Sequence, residues 1–236
     1  MSDDNVLNEL LKDKLENVGI NHKGTDEIVC IVDRSGSMQS IKDEAQGGLN
    51  GFIEDQKKVG KANLTIIQFD NEINCVCDKV NLNEAEEYKL KPRGMTALLD
   101  AIGFVISDKE KYTSKDGKTI VVVLTDGDEN CSKEWNKTKI NALIEERKEN
   151  GWEFLFLAAG QDAINTAVNY GFDADSAISF AQTKAGASDA YDAMSVYTCS
   201  LRSTTRSAAQ AAKSSYVNAH LDTLSETGEV DDSKSK

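Results

Sequence analysis

Three runs of this 236-residue chain are apolar without alternation: Ile28-Val29-Cys30-Ile31-Val32, Ile120-Val121-Val122-Val123-Leu124, and Phe154 to Ala159. A strand with one solvated face alternates apolar and polar side chains. An unbroken run rich in β-branched residues therefore has to be covered on both faces. Helices supply that cover when the strands run parallel. Helical stretches do lie between these runs. Residues 38–58 place Ile41, Ala45, Leu49, Phe52 and Ile53 along one side. A second stretch opens at Ala97-Leu98-Leu99 and reaches about Lys111, and a third runs from Ser132, as its cap, to Asn150 with Gly151 as its stop.

The remaining elements fit the same plan. Leu64 to Phe69 reads as a further strand, Asp70-Asn71 as a turn, and Ile73-Asn74-Cys75-Val76-Cys77 as the antiparallel return of a hairpin. A short helix from Asp162 to Tyr170, a weaker strand Ala177–Phe180 and a final helix begun by Ser188 follow, the last carrying Tyr191, Met194, Tyr197 and Leu201. The expected class is α/β: a doubly wound, mostly parallel central sheet of about six strands, one antiparallel edge strand, and helices on both faces. The expected division is an amphipathic helix and linker over residues 1–25, a domain over 26–203, and a Ser/Ala-rich extension with an acidic tail over 204–236. Within the first segment, residues 4–18 space Leu7, Leu10, Leu11, Leu15 and Val18 as one helix face, suited to packing on the flank of the domain, with a partner-binding arm as the alternative.

Charge and composition narrow the function. Aspartate and glutamate total 40 against 27 lysines and arginines, a net charge of −13. Nucleic acid and anionic membrane are disfavoured as partners, since both need clustered positive charge. No apolar run approaches the ~20 residues of a spanning helix. The start, Met1-Ser2-Asp3-Asp4, lacks the basic and apolar regions of a signal peptide. Five cysteines (Cys30, Cys75, Cys77, Cys131, Cys199) are too few and too scattered for a disulfide framework, and with only His22 and His220 beside them they form no zinc pattern. The expected compartment is the cytoplasm. Cys75 and Cys77, two apart on a strand, are expected on one face.

Chemistry gathers in three polar loops at the carboxyl ends of the apolar strands, where open α/β sheets bind ligands. The first holds Asp33, Ser35 and Ser37, the second Gly94 and Thr96, the third Asp126 and Asp128. Taken alone, Asp33 with Ser35 and Ser37 could be a helix cap after a buried strand. Three such loops together make an all-oxygen donor set that suits a hard divalent cation such as Mg²⁺. Asp128 reads as a solvated turn, Asp70 as part of the hairpin turn, and Asp100 as a stabiliser of its own helix. Trp135 and Trp152 read as packing residues.

Asp33-Arg34-Ser35-Gly36-Ser37, Thr96 within Gly94-Met95-Thr96-Ala97-Leu98, and Asp126 after its strand occur in the order seen in von Willebrand factor type A domains. Over roughly residues 26–203 the chain resembles that family, and most of all its small stand-alone bacterial and phage forms. The resemblance implies a metal-ion-dependent adhesion site formed by Asp33, Ser35, Ser37, Thr96 and Asp126. It implies Ser35 and Ser37 binding Mg²⁺ directly, with Mn²⁺ or Ca²⁺ as substitutes. Thr96 would bind directly or through water, and Asp33 and Asp126 through water or through the hydroxyls. It implies that a partner protein offers an Asp or Glu carboxylate to the ion, with Arg34 and Arg93 offsetting the acidity of the chain if they flank the site. By analogy the role is that of an adaptor in an intracellular assembly, such as those built on MoxR-type AAA+ ATPases.

Catalytic readings are weaker. A haloacid-dehalogenase-type phosphatase needs a second carboxylate where Ser35 stands, a serine hydrolase needs a nearby histidine, and the phosphate-binding loop pattern is absent. The chain is therefore expected not to be an enzyme. The alternatives are a metal-dependent hydrolase or phosphotransferase, and a structural component, such as one of a virion, stiffened by its metal.

Overall fold

The computed structural model describes residues 24–126, 129–160 and 162–220, together with Leu224. The segments 4–18 and 226–236, His22 and Asp128 lie outside the described residues. Six strands form one sheet: β1 (Asp26–Asp33), β2 (Ala62–Phe69), β3 (Ile73–Asn81), β4 (Thr119–Thr125), β5 (Trp152–Ala159) and β6 (Ala177–Phe180). Their order is β3-β2-β1-β4-β5-β6. All pairings are parallel except β2 with β3. Every residue of β1 and of β4 is buried, as their lack of alternation requires.

Seven helices belong to the described residues: α1 (Lys42–Val59), α2 (Leu98–Ser107), α3 (Lys109–Tyr112), α4 (Lys137–Glu149), α5 (Ala163–Asn169), α6 (Lys184–Ser203) and α7 (Arg206–Ala219). Alternate residues of β1 feed two separate cores. Ile28, Cys30 and Val32 pack with α1, α6 and α7, whereas Val29 and Ile31 pack with α2, α4 and α5. The architecture is the expected doubly wound one.

Several local expectations change. A 3₁₀ turn over Gly36–Ile41 precedes α1, and the stretch from Ala97 to Lys111 divides at Asp108, whose side chain accepts from the Lys111 N–H and starts α3. Ser132 does not cap α4; Asn136 does, its Oδ1 accepting from the Lys139 N–H at 3.0 Å. The final long helix starts before Ser188, at Lys184, where the Thr183 hydroxyl accepts from the Gly186 N–H at 3.1 Å. Both true caps stand one residue ahead of the helix and reach its third N–H, the usual geometry for that role. Tyr191, Met194, Tyr197 and Leu201 of this helix are all buried.

The cysteines of β3 do not share a face. A bulge in the β2–β3 ladder pairs Ile66 with Cys77 and the next residue, Ile67, with Cys75. Consecutive residues of β2 point to opposite faces, so their partners do too. Cys77 packs on the first core and Cys75 is exposed. All five cysteines are free thiols. Burial pushes the Cys30 and Cys199 thiols upward, Cys199 to about 12, as expected of inert packing residues.

The Ser/Ala-rich segment beyond 204 forms α7, folded back on α6. Ala209, Ala212 and Tyr216 join the first core. Arg206 pairs with Glu153 at 3.1 Å and with Asp173, and the Lys213 ammonium donates to the carbonyls of Asp175 and Ala177.

Candidate metal centre

The strand order places the site. β1 and β4 are neighbours, and the chain winds outward from them in both directions, so the strand order reverses at the loops that leave their carboxyl ends, the position where open α/β sheets bind ligands. Val32 pairs with Leu124, which sets Asp33 beside Thr125 and brings the Ser35–Ser37 turn toward Asp126.

Asp33 lies at the base, fully buried. Its Oδ1 accepts from the Ser35 N–H at 2.6 Å and its Oδ2 from the Thr125 hydroxyl at 2.6 Å. Above it the hydroxyls of Ser35 and Ser37 are 3.0 Å apart, and Ser37 Oγ donates to Asp126 Oδ1 at 2.8 Å. Ser35 is buried and Ser37 exposed, so the hydroxyl pair leads from the interior to the mouth. Gln182, in the loop before α6, donates to Asp126 Oδ2 at 3.0 Å.

Both carboxyls titrate above the usual range. Burial pushes Asp33 up to about 6, against the lowering effect of its Thr125 and Ser35 hydrogen bonds, and Asp126 adds a further upward push. Burial also raises Asp126, against its bonds from Ser37 and Gln182. Among the described residues, no lysine or arginine forms an ion pair with either carboxylate. No group of three or more His, Cys, Asp or Glu suited to a metal occurs among the described residues. The cluster here has two carboxylates and takes its other oxygens from hydroxyls, a hard-donor set that fits a hard cation.

Thr96 reaches the same rim through its backbone. Arg93 N–H donates to the Arg34 carbonyl at 2.7 Å, and Gly36 N–H to the Gly94 carbonyl at 3.2 Å, so the Thr96 loop is laced to the Asp33–Ser37 turn. Gly94 has φ +73°, and a Cβ there would lie 2.4 Å from Asn71 Oδ1, which makes glycine the residue for this turn. On the other side, Thr96 N–H donates to Asn130 Oδ1 at 2.9 Å and the Thr96 carbonyl accepts from the Asn130 N–H at 3.0 Å. The five sequence-predicted residues therefore gather on three connected loops at one end of the sheet.

Other residues took roles the sequence did not signal. Asp70 is fully buried rather than a simple turn residue: its carbonyl accepts from Ala97 N–H at 2.9 Å, and Arg93 Nε donates to its Oδ2 at 2.7 Å. Arg34 Nε lies 3.1 Å from the same oxygen as an ion pair. Both arginines sit on the rim, and Asp70 and Glu72 match their charge. Asp100 stands in the first turn of α2, where its charge suits the helix dipole, and it also accepts from the N–H groups of Lys133, Glu134 and Trp135 at 2.8–3.0 Å. Glu129 Oε2 accepts from the Leu99 N–H at 2.9 Å, and the Ser132 hydroxyl accepts from the Asp100 N–H at 3.0 Å. An Asp directly after a strand was the one sequence signal available for Asp70. Nothing local marked Asn130, Glu129 or Gln182.

Comparison with known proteins agrees with this fold. The family model for the von Willebrand factor type A domain matches residues 27–192. No curated protein matches the chain by sequence. Among solved structures, proximal thread matrix protein 1 from the mussel byssus superposes with a TM-score of 0.56 and 12% identity, covering 76% of this chain and 47% of its own. PilB minor pilin from Streptococcus sanguinis gives 0.57 and 12%, covering 78% and 63%. The manganese-loaded TRAP protein of Plasmodium vivax gives 0.50 and 16%, covering 67% and 69%. The mussel protein has also been solved with a zinc-occupied metal-ion-dependent adhesion motif. Identities this low carry the fold alone, and this chain spans about half the length of the mussel protein.

Proposed function

The chain belongs to the von Willebrand factor type A domain family, and on that premise we propose that it is a divalent-cation-dependent protein-binding module. Ser35, Ser37 and Thr96 would hold Mg²⁺, or Mn²⁺ or Ca²⁺ in its place, with Asp33 and Asp126 orienting the hydroxyls and balancing charge. The carrying observation is the continuous chain from Ser35 through Ser37 to Asp126, with the buried Asp33 beneath it. Two carboxyls with raised titration and no basic partner among the described residues are groups a cation would satisfy. The manganese and zinc bound by the Plasmodium and mussel proteins support a divalent ion of this type.

When bound, such an ion supplies an electrophilic coordination position to a carboxylate oxygen. The residues of the chain do the rest. Neutral serine and threonine hydroxyls leave the ion's charge only partly cancelled, so an Asp or Glu of a partner is attracted as a further ligand. Arg34 and Arg93, on the same rim, hold Asp70 and Glu72 in ion pairs and so limit the repulsion an acidic partner meets. The reading is of recognition and not catalysis, with the protein as an adaptor in a cytoplasmic assembly. Among the described residues no helix is long and apolar enough to cross a membrane.

Calorimetric titration with Mg²⁺ and Mn²⁺ tests the proposal. One site is expected in the wild type and none in Asp126→Ala. A partner captured from the host should depend on divalent cation and be lost in Ser35→Ala. Absence of binding heat above the buffer control rejects the metal site, and turnover of phosphoester substrates lost in Asp126→Ala would favour an enzyme instead.

A further inference from the structure

Residues 129–135 form a clamp on the start of α2. This helix has no cap of its own: its N-cap residue, Ala97, makes no side-chain cap bond. Its first N–H groups are capped from the neighbouring loop, Leu99 by Glu129 and Asp100 by the Ser132 hydroxyl. Glu129 is itself fixed, since Oε1 accepts from the N–H groups of Cys131 and Ser132 and Oε2 from the Ser132 hydroxyl at 2.6 Å. Asp100 returns the interaction through three N–H groups of residues 133–135.

Asn130 sits at the centre of this reciprocal capping. It engages both main-chain polar groups of Thr96, the N–H through its side-chain oxygen and the carbonyl through its own N–H. No hydrogen bond of the Thr96 hydroxyl is found among the described residues. The hydroxyl is the one polar group of Thr96 that this arrangement leaves for a ligand.

We propose that Asn130 is a positioning residue for Thr96, locking its loop to the loop that carries Asp126 so that the hydroxyl is held ready for the cation. This rests on the metal reading above. Groups that orient metal ligands commonly matter about tenfold to hundredfold in metal affinity. Asn130 acts here on a ligand's backbone, which fixes where the whole residue sits.

Mn²⁺ titration followed by electron paramagnetic resonance tests this with wild type, Asp126→Ala, Asn130→Ala, Asn130→Asp, Thr96→Ala and the Thr96→Ala/Asn130→Ala double variant. Asn130→Ala should weaken Mn²⁺ binding by about tenfold or more. Asn130→Asp, which keeps an acceptor for the Thr96 N–H, should restore most of it. In the Thr96→Ala background the same Asn130→Ala change should alter affinity by less than about twofold, because its effect runs through the missing hydroxyl. Equal weakening in both backgrounds overturns the proposal, since that pattern reports general loss of structure. If Asn130→Ala does not fold, Asn130→Gln takes its place; it keeps the amide but displaces the acceptor by one methylene, and it should also weaken binding. A wild type that binds no Mn²⁺ defeats the metal reading itself. A wild type that binds, with Asp126→Ala inactive and Asn130 variants unchanged, defeats only the role of Asn130.

Discussion

Replacing Asp33 with asparagine should make the metal-free protein more stable near neutral pH, by an amount that the burial of Asp33 sets. Its carboxyl titrates at about 6 in the fold against an ordinary value of 3.8, chiefly because burial disfavours the charge. A gap of that size corresponds to about 3 kcal/mol. Between the two values the native state holds a proton that the unfolded chain has released. Stability from this group is therefore full below about pH 4, falls as pH rises to about 6, and stays low above it. The asparagine side chain would keep the acceptor for the Ser35 N–H, and the Thr125 hydroxyl can turn to accept from its amide. The assay is urea unfolding of chelator-treated protein at half-unit steps from pH 4 to 7.5, wild type beside Asp33→Asn. The variant should gain on the wild type by about 3 kcal/mol across that range, with unchanged dependence on urea concentration. Taking the difference between the two proteins removes the contributions of carboxyls that do not interact with Asp33, such as Asp173, whose titration is lowered. A difference that is flat with pH, or that runs the other way, would refute the assignment of a buried, uncompensated charge to Asp33.

Three further outcomes are expected. Arg202→Met should cost about 3–5 kcal/mol, because Arg202 lies almost fully buried 2.7 Å from Asp26 and also donates to the carbonyls of Gln56 and Gly60. Differential scanning calorimetry should show a melting temperature lower by roughly 6–20 °C. Gly103→Ala should cost about 1–3 kcal/mol by overpacking, since a Cβ there would lie 2.3 Å from the Trp135 ring; in a Trp135→Ala background the same change should cost nothing. A chain ended after Ser203 should lose the burial of Ala209, Ala212 and Tyr216, about 3–4 kcal/mol by transfer of those side chains to water, read as a lower urea midpoint. An unchanged midpoint would place the end of the domain at 203 after all.

The strands were legible because burial on two faces leaves a local mark. Ile28 to Val32 and Ile120 to Leu124 lack any alternation, and no partner strand has to be known to see it. The residue types of the site were legible for the same reason: Asp33, Ser35 and Ser37 follow one such strand directly and Asp126 follows another. The order β3-β2-β1-β4-β5-β6 left no such mark, and it is the order that sets Asp33 beside Thr125 and Ser37 beside Asp126. The caps show the limit most clearly. Ser132 has the chemistry of a helix cap and does cap a helix, but the helix is α2, about thirty residues earlier in the chain. Cys75 and Cys77 part company because a bulge belongs to a pair of strands and not to either one. Patterns of period two or near four come from the geometry of one element and can be read along the chain. Which carboxylate loses its water, which loop holds Thr96, and whether the Ser/Ala-rich end packs all depend on contacts between residues far apart in sequence, and only the folded arrangement decides them.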